Sequence, residues 1–258
     1  MTDLSSKAAE LNRLHADPEI LTVVNVWDVI TATTVAGVAG TKALATASHS
    51  IAVSYGYEDG ENIPVDLMIE AVGRIAAATD LPVSADLEGG YGNAGETVRK
   101  AIGVGIVGAN LEDQMKPIAE AVAAVEAALK AGQDAGIDFA LNARTDAFLK
   151  AGDKPHADVL ADAIARGKAF LDAGAPVVFV PGGVSEDDIK AFVDAWGPQK
   201  LTTIGFPGSV PLARQQELGV ARVSYGPFAQ SVALMALQDL ATDVEGGGGL
   251  PANFRGLN

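Results

Sequence analysis

The chain contains no cysteine, which rules out disulfides, thiolate metal sites and a catalytic thiol together. Basic residues are scarce as well: 18 Lys and Arg stand against 33 Asp and Glu, a formal net charge of −15. Such a surface repels phosphate backbones and anionic lipids, and argues against nucleic acid or a membrane as partner. It does not argue against a small anionic substrate, because a bound cation and one well-placed Arg reverse the field inside a single pocket. No apolar run is long enough to span a bilayer. The first twenty residues mix charges into an amphipathic helical pattern and lack the apolar stretch of a signal peptide. These absences point to a cytoplasmic protein.

What is present is enough for one large core: 258 residues, 48% of them hydrophobic, close to the roughly 250 residues of a (β/α)₈ TIM barrel. Short β-branched runs alternate with longer Ala-rich helical runs, the pattern of parallel strands joined by crossovers. Strands are expected near Leu21–Trp27, Lys42–Ala47, Pro82–Asp86, Gly105–Leu111, Phe139–Asn142, Pro176–Val180, Leu201–Ile204 and Ala221–Ser224. Helices fall between them, the last near Pro227–Ala241. Eight units close a barrel. A doubly wound open sheet shares this alternation, and Gly103-Val-Gly-Ile-Val-Gly108 has the spacing of a dinucleotide loop. Those glycines lead into a strand, however, whereas a phosphate loop follows a strand and opens a helix. The expected organisation is a barrel over residues 1–243, then a Gly-rich connector and short tail over 244–258, because four consecutive Gly after Glu245 leave the backbone too free for a helix.

In a barrel the residues just past the strand ends share one mouth, and the unusual residues of this chain lie there. Asp86 and Glu88 are two apart at the end of the third expected strand, so extended backbone turns both to one side, and Glu112 arrives from the next strand. Single acids at such places are often helix caps. Three on adjacent strands would repel one another, and a hard divalent cation, Mg²⁺ or else Mn²⁺, resolves that repulsion better than zinc. Arg144, at another strand end, could pair with a carboxylate for structure or bind a substrate carboxylate or phosphoryl group. His49 is a candidate acid or base or a structural group, and Tyr57 and Tyr91 either move a proton or pack. Trp27 is expected as a pocket wall, and His15 and His156 are expected at the surface. Thr203 is assigned to the substrate-binding set.

The ordered set Asp86-Leu-Glu-Gly-Gly-Tyr-Gly, Leu111-Glu-Asp-Gln and Ala143-Arg-Thr-Asp-Ala resembles the signature of the isocitrate lyase and phosphoenolpyruvate mutase superfamily. Asn25-Val-Trp-Asp, Gly56-Tyr-Glu-Asp, Pro211-Leu-Ala and Gly219-Val-Ala-Arg-Val-Ser extend the resemblance over nearly the whole chain. The resemblance implies a barrel whose C-terminal helix swaps between subunits of a dimer or tetramer. It implies Mg²⁺ held mainly by Asp86, with Asp59, Glu88 and Glu112 acting mostly through waters. It also implies that backbone groups of Thr46, Ala47 and Ser48 hold a substrate carboxylate, and that Arg144 binds substrate and offsets charge as a bond to carbon breaks. The implied chemistry is C–C or P–C bond cleavage or formation through a Mg²⁺-stabilised enolate of a small oxo-acid.

Departures narrow this. The lyases acting on isocitrate and methylisocitrate carry a Lys-x-Cys-Gly-His loop soon after the Glu-Asp-Gln segment, but here Gln114 is followed only by Met115, Lys116 and Pro117 before a helix. The phosphonate enzymes carry an Asn near the Asp of the loop after strand 2, and Asn62 is close to that place without matching it. Glu58 stands where many relatives have Pro, and Gly182 where the lyases have Glu. The leading expectation is a Mg²⁺-dependent lyase or decarboxylase acting on a small 2-oxo or 2-hydroxy (di)carboxylate, with Arg144, Asp59, Glu112, Tyr57 and His49 as catalytic candidates. The rivals are a phosphonate enzyme on the same scaffold and a metal-binding barrel without turnover.

Overall fold

Nine short parallel strands run through the computed structural model, which describes residues 4–256. The expectations for residues 1–3 and for the last two residues of the tail lie outside it. The strands are β1 Leu21–Val23, β2 Asn25–Val26, β3 Leu44–Thr46, β4 Val83–Asp86, β5 Gly108–Glu112, β6 Ala140–Arg144, β7 Val177–Phe179, β8 Leu201–Ile204 and β9 Arg222–Ser224. Their order is β1-β9-β8-β7-β6-β5-β4-β3-β2. β1 pairs with β9 and β2 with β3, and only Val24 separates them in the chain. The first expected strand is therefore one strand broken at Val24, and its two halves close the barrel, so nine pieces fill eight positions. Strands sandwiched between a filled interior and a ring of helices are buried on both faces, which is why they read as nearly continuous apolar runs.

Ten helices surround the sheet among the described residues: α1 Leu4–Ala16, α2 Val29–Ala36, α3 Ser48–Ser54, α4 Val65–Ala77, α5 Ala94–Gly103, α6 Ile118–Asp134, α7 His156–Asp172, α8 Glu186–Trp196, α9 Leu212–Glu217 and α10 Phe228–Glu245. Several start on recognisable caps. Asp28 accepts from the Thr31 N–H at 2.8 Å to open α2, and Ser185 with Asp188 forms a reciprocal capping box for α8. α10 runs four residues past its expected end and presents Val232, Leu234, Met235, Leu237 and Val244 to solvent at 50–68% exposure. None of these helices is long and apolar enough to cross a membrane.

α1 covers the N-terminal end of the barrel. Ala8, Leu11 and Leu14 form its apolar stripe, and Leu11 reaches the space that a side chain at Gly108 would occupy. His15 lies seven residues after Ala8, on the same stripe, and is 1% exposed with neither ring nitrogen partnered. The surface position expected for it is therefore wrong; burial, with the Arg222 charge nearby, pushes the imidazole down to about 3. His156 is at the surface, 2.7 Å from Asp188.

The interior of the barrel is polar at mid-height. Asn142 donates to Asn110 Oδ1 at 2.8 Å and accepts from the Thr202 hydroxyl at 2.8 Å, a chain of bonds that satisfies groups taken out of water. Arg222 is 1% exposed, and the Ser84 hydroxyl at 3.4 Å is its hydrogen-bond partner, while Nε and Nη2 have none. Burial lowers its guanidinium to about 10 against the opposing pull of Asp86.

Candidate active site

Side chains alternate along a strand, and the pairing register puts Asp86 beside Asn110, Asn110 beside Asn142, and Glu112 beside Arg144, next to Phe179. This parity brings the charged residues from adjacent strands to the mouth. Asp86 ends β4. Its N–H donates to the Thr46 hydroxyl at 2.9 Å, and its Oδ2 accepts from the Ser48 N–H at 3.2 Å and the Ser48 hydroxyl at 2.8 Å. Its Oδ1 is buried without a partner. Ser48 opens α3, a helix the sequence does not announce because Ala47 offers no side-chain cap. The Ala47 N–H donates to the Val26 carbonyl at 3.3 Å.

Beyond Asp86 the chain turns sharply. Glu88 and Tyr91 take left-handed backbone angles, φ 51° and 52°. A Cβ on Gly89 would meet the Gln114 amide, and one on Gly90, at φ 90°, would lie 2.8 Å from Ala94 Cα, so at position 90 only glycine allows this packing. Glu88 is 3% exposed. It accepts from the Tyr91 hydroxyl at 2.7 Å and from the Glu61 N–H. Burial raises its pKa, opposed by those hydrogen bonds and reinforced by Asp86 and Asp59. Tyr91 is pushed up by burial and by Glu88, so its hydroxyl remains the donor.

Arg144 bridges Glu112 at 2.8 Å through Nη1 and Asp146 at 2.8 Å through Nε. Glu112 is pushed up to about 7: burial dominates, Arg144 opposes it, and Asp146, Asp86 and Glu88 add to it. Arg144 is raised in turn, because Glu112, Asp146 and Asp86 outweigh its burial. Asp113 holds this assembly from behind, accepting from the Asp146 N–H at 3.0 Å and from Arg166 at 3.1 Å.

One cavity of about 380 Å³ occupies the mouth. Ala47, Ser48, His49, Asp59, Asp86 and Arg144 line it, as does Asn110, which sequence reasoning passed over. His49 Nδ1 is 3.5 Å from Asp59 Oδ2, both about half exposed. Glu88 and Glu112 stand behind the wall, held by Tyr91 and Arg144. Among the described residues no three His, Asp or Glu side chains gather closely enough to hold a metal directly; Glu88 is engaged by Tyr91 and Glu112 by Arg144.

Three further expectations need correction. Thr203 has the opposite parity to Thr202; its hydroxyl donates to Gln215 Oε1 at 2.6 Å and it is 1% exposed, away from the mouth. Tyr57 and Trp27 pack against the core and are not in the cavity wall. Other wall residues had been given no role, among them Asn25, Leu149, Phe179, Ile204, Phe206, Ser224 and Phe228. Asn25 had a signal, since its amide takes the Tyr225 and Gly226 N–H groups at 2.8 and 2.7 Å and donates to the Thr46 carbonyl at 2.8 Å, a closing role suited to a polar residue on a barrel's first strand.

The family model described as phosphoenolpyruvate phosphomutase matches residues 11–245. The chain belongs to this family. Within it, a solved structure of a protein from Burkholderia cenocepacia J2315 assigned as a phosphonomutase superposes with TM-score 0.86 at 39% identity, covering 92% of this chain and 99% of that one. The 2,3-dimethylmalate lyase of Eubacterium barkeri is 26% identical over 91% of this chain and 85% of its own length. The oxaloacetate decarboxylase of Paraburkholderia xenovorans is 34% identical over 67% of this chain and 60% of its own. Family relatives thus include lyases, a decarboxylase and a mutase, and the barrel resemblance inferred from the motifs holds.

Proposed function

We propose that the protein is a Mg²⁺-dependent lyase or decarboxylase that cleaves a C–C bond in a small 2-oxo or 2-hydroxy (di)carboxylate. The observation that carries this reading is Asp86: one carboxylate oxygen is held by Ser48, and the other is buried without a partner in the wall of a cavity that also contains Arg144. A buried acceptor oxygen of that kind calls for a cation. Mg²⁺ takes one or two carboxylates and keeps several waters, so a single direct ligand with Asp59 and Asn110 in the same wall fits it, and Glu88 and Glu112 add negative charge from behind. Bound there, the ion supplies a hard Lewis acid beside the substrate's oxygens.

The chain's own residues do the rest. The N–H bonds of Ala47 and Ser48 are long, at 3.3 and 3.2 Å, so a substrate carboxylate competes well for these donors. Arg144, fixed by two carboxylates, offsets charge that develops as the bond breaks. His49, 3.5 Å from Asp59 in the cavity wall, supports a proton-carrying role better than Tyr57, which packs against the core outside that wall. A second reading, P–C chemistry on a phosphonate, draws on the 39% identity to the assigned phosphonomutase.

Product formation tests both: pyruvate from oxaloacetate, the 2-oxo-acid fragment (glyoxylate from malate itself) from malates, and pyruvate or phosphoenolpyruvate from phosphonopyruvate, each with Mg²⁺ or with EDTA. Turnover of a carboxylate only with Mg²⁺ supports the leading reading, and turnover of the phosphonate alone replaces it. Complete inertness of a folded sample leaves a binding barrel. We also propose a homodimer or tetramer, supported by the exposed apolar residues of α10; a monomer in light scattering at micromolar concentration contradicts this.

A further inference from the structure

Non-glycine residues rarely take left-handed backbone angles. Among the described residues six do, and five of them, Glu61, Glu88, Tyr91, Gln114 and Met115, sit in the loops around the mouth at φ 50–63°. Such angles persist only where the surroundings fix them, and they gather at functional sites. Hydrogen bonds tie four of the five into one knot. The Glu61 N–H donates to Glu88 Oε2, and the Tyr91 hydroxyl donates to Glu88 Oε1 at 2.7 Å. The Glu61 carboxylate in turn accepts from the Tyr91 N–H at 2.5 Å and from the Gln114 amide at 3.4 Å. Two carboxylates held this close repel one another, a cost that packing alone gives no reason to carry.

What the knot secures is the span between Tyr57 and Ile63. Tyr57 packs against the core and Ile63 is buried, while Glu58, Asp59, Gly60 and Asn62 between them are exposed. Asp59 lies in the cavity wall, 3.5 Å from His49. Glu61 follows two residues later, and it is the residue of this span that bonds to the turns after β4 and β5. An exposed loop without such a tie opens locally, and a carboxylate carried on it then loses its set position at the mouth.

We infer that Glu61 is a positioning residue: its carboxylate clasps the loop carrying Asp59 to the turns after β4 and β5, and so fixes the Asp59–His49 pair in the cavity wall. The kinetic consequence rests on the lyase reading above; the clasp itself is read without turnover.

The test compares the natural chain with Glu61→Ala and Glu61→Gln. Gln keeps an oxygen for the Tyr91 N–H, and the Gln114 amide can turn to face it, whereas Ala removes both bonds. Amide hydrogen exchange on the metal-free protein comes first. The N–H of residue 61 keeps its own acceptor, Glu88, in every variant, so its protection reports the hold of the carboxylate on the loop. Protection there should fall about tenfold or more in Glu61→Ala, the worth of one charged hydrogen bond, and stay within about threefold of the natural chain in Glu61→Gln, with circular dichroism unchanged. Turnover is then measured with Mg²⁺ on whichever of oxaloacetate, malate and phosphonopyruvate reacts. Glu61→Ala should lower kcat about tenfold and leave KM within about twofold, because Ala47, Ser48 and Arg144 lie outside this loop. In an Asp59→Asn background the same substitution should cost nothing further. Unchanged protection at residue 61 in Glu61→Ala, a Gln variant as open as the Ala variant, or the same loss of kcat in both backgrounds overturns the inference while leaving the lyase reading intact. If no compound turns over, the lyase reading fails by itself, and the exchange result alone decides the clasp.

Discussion

At the mouth of the barrel Asp86, Glu112 and Arg144 lie against or just behind an open cavity, whereas at the floor His15 is sealed on the buried face of α1 and Arg222 is enclosed by the strands. Both ends hold buried polar atoms without partners, Asp86 Oδ1 above and the His15 ring and Arg222 nitrogens below. Their settlements differ. Burial at the floor suppresses charge, holding His15 neutral. At the mouth, Arg144 partly offsets the burial that raises Glu112, and one carboxylate oxygen of Asp86 is left without a partner beside an open cavity. The lesson is that unmet polarity marks a site only where a ligand can reach it.

Changing the mouth should cost rate, and changing the floor should cost only stability. The largest effect is expected from Arg144→Lys, which keeps the charge and loses the planar fork. One lost charged hydrogen bond lowers kcat/KM by roughly ten- to a hundredfold, with an unchanged circular dichroism spectrum. Full turnover would make Arg144 structural.

The next effect comes from Glu112→Gln. Glu112 titrates near 7 in the folded protein, above its unfolded value, so the folded state holds this proton more tightly. Its contribution to stability is complete below the unfolded pKa and is lost as pH rises through 7. Without divalent cations the natural chain should therefore lose about 2 kcal/mol more than the variant between pH 5 and pH 8. Parallel pH profiles in urea titrations would remove Glu112 from this role.

The smallest effect is at the floor. His15 has a folded pKa depressed to about 3, so the unfolded chain takes up its proton first, and stability present above the unfolded value of about 6.5 falls away as pH drops. His15→Leu should gain about 1 kcal/mol over the natural chain at pH 5.5 relative to pH 7.5, with turnover untouched. A loss of turnover would break the separation of the two ends.

The fold was legible because its strands are apolar runs of fixed order. The break at Val24 was not, since no Gly, Pro, Asp or Ser lies between Thr22 and Trp27 and Asn25 falls inside a strand. α3 escaped notice because Thr46-Ala-Ser-His-Ser reads as a loop of small polar residues. The charged residues of the site were legible from spacing at strand ends, yet two steps needed coordinates. Parity separates Thr202 from Thr203, and a run of Leu-Thr-Thr-Ile shows no polar alternation to choose between them. The apolar part of the wall was invisible for a related reason: Phe179 and Ile204 at strand ends look like core until the cavity is seen beside them. His15 misled by residue type, although its place seven residues from Ala8 was the better guide.

Asp86 is proposed to hold a divalent cation at the mouth. Calorimetric titration of Mg²⁺ into the natural chain and into Asp86→Asn tests it most directly, because Asn keeps the shape and its amide oxygen but removes the charge. Saturable binding to the natural chain and none measurable for the variant are expected, both folded to the same extent. Equal Mg²⁺ affinity in the two proteins would contradict it.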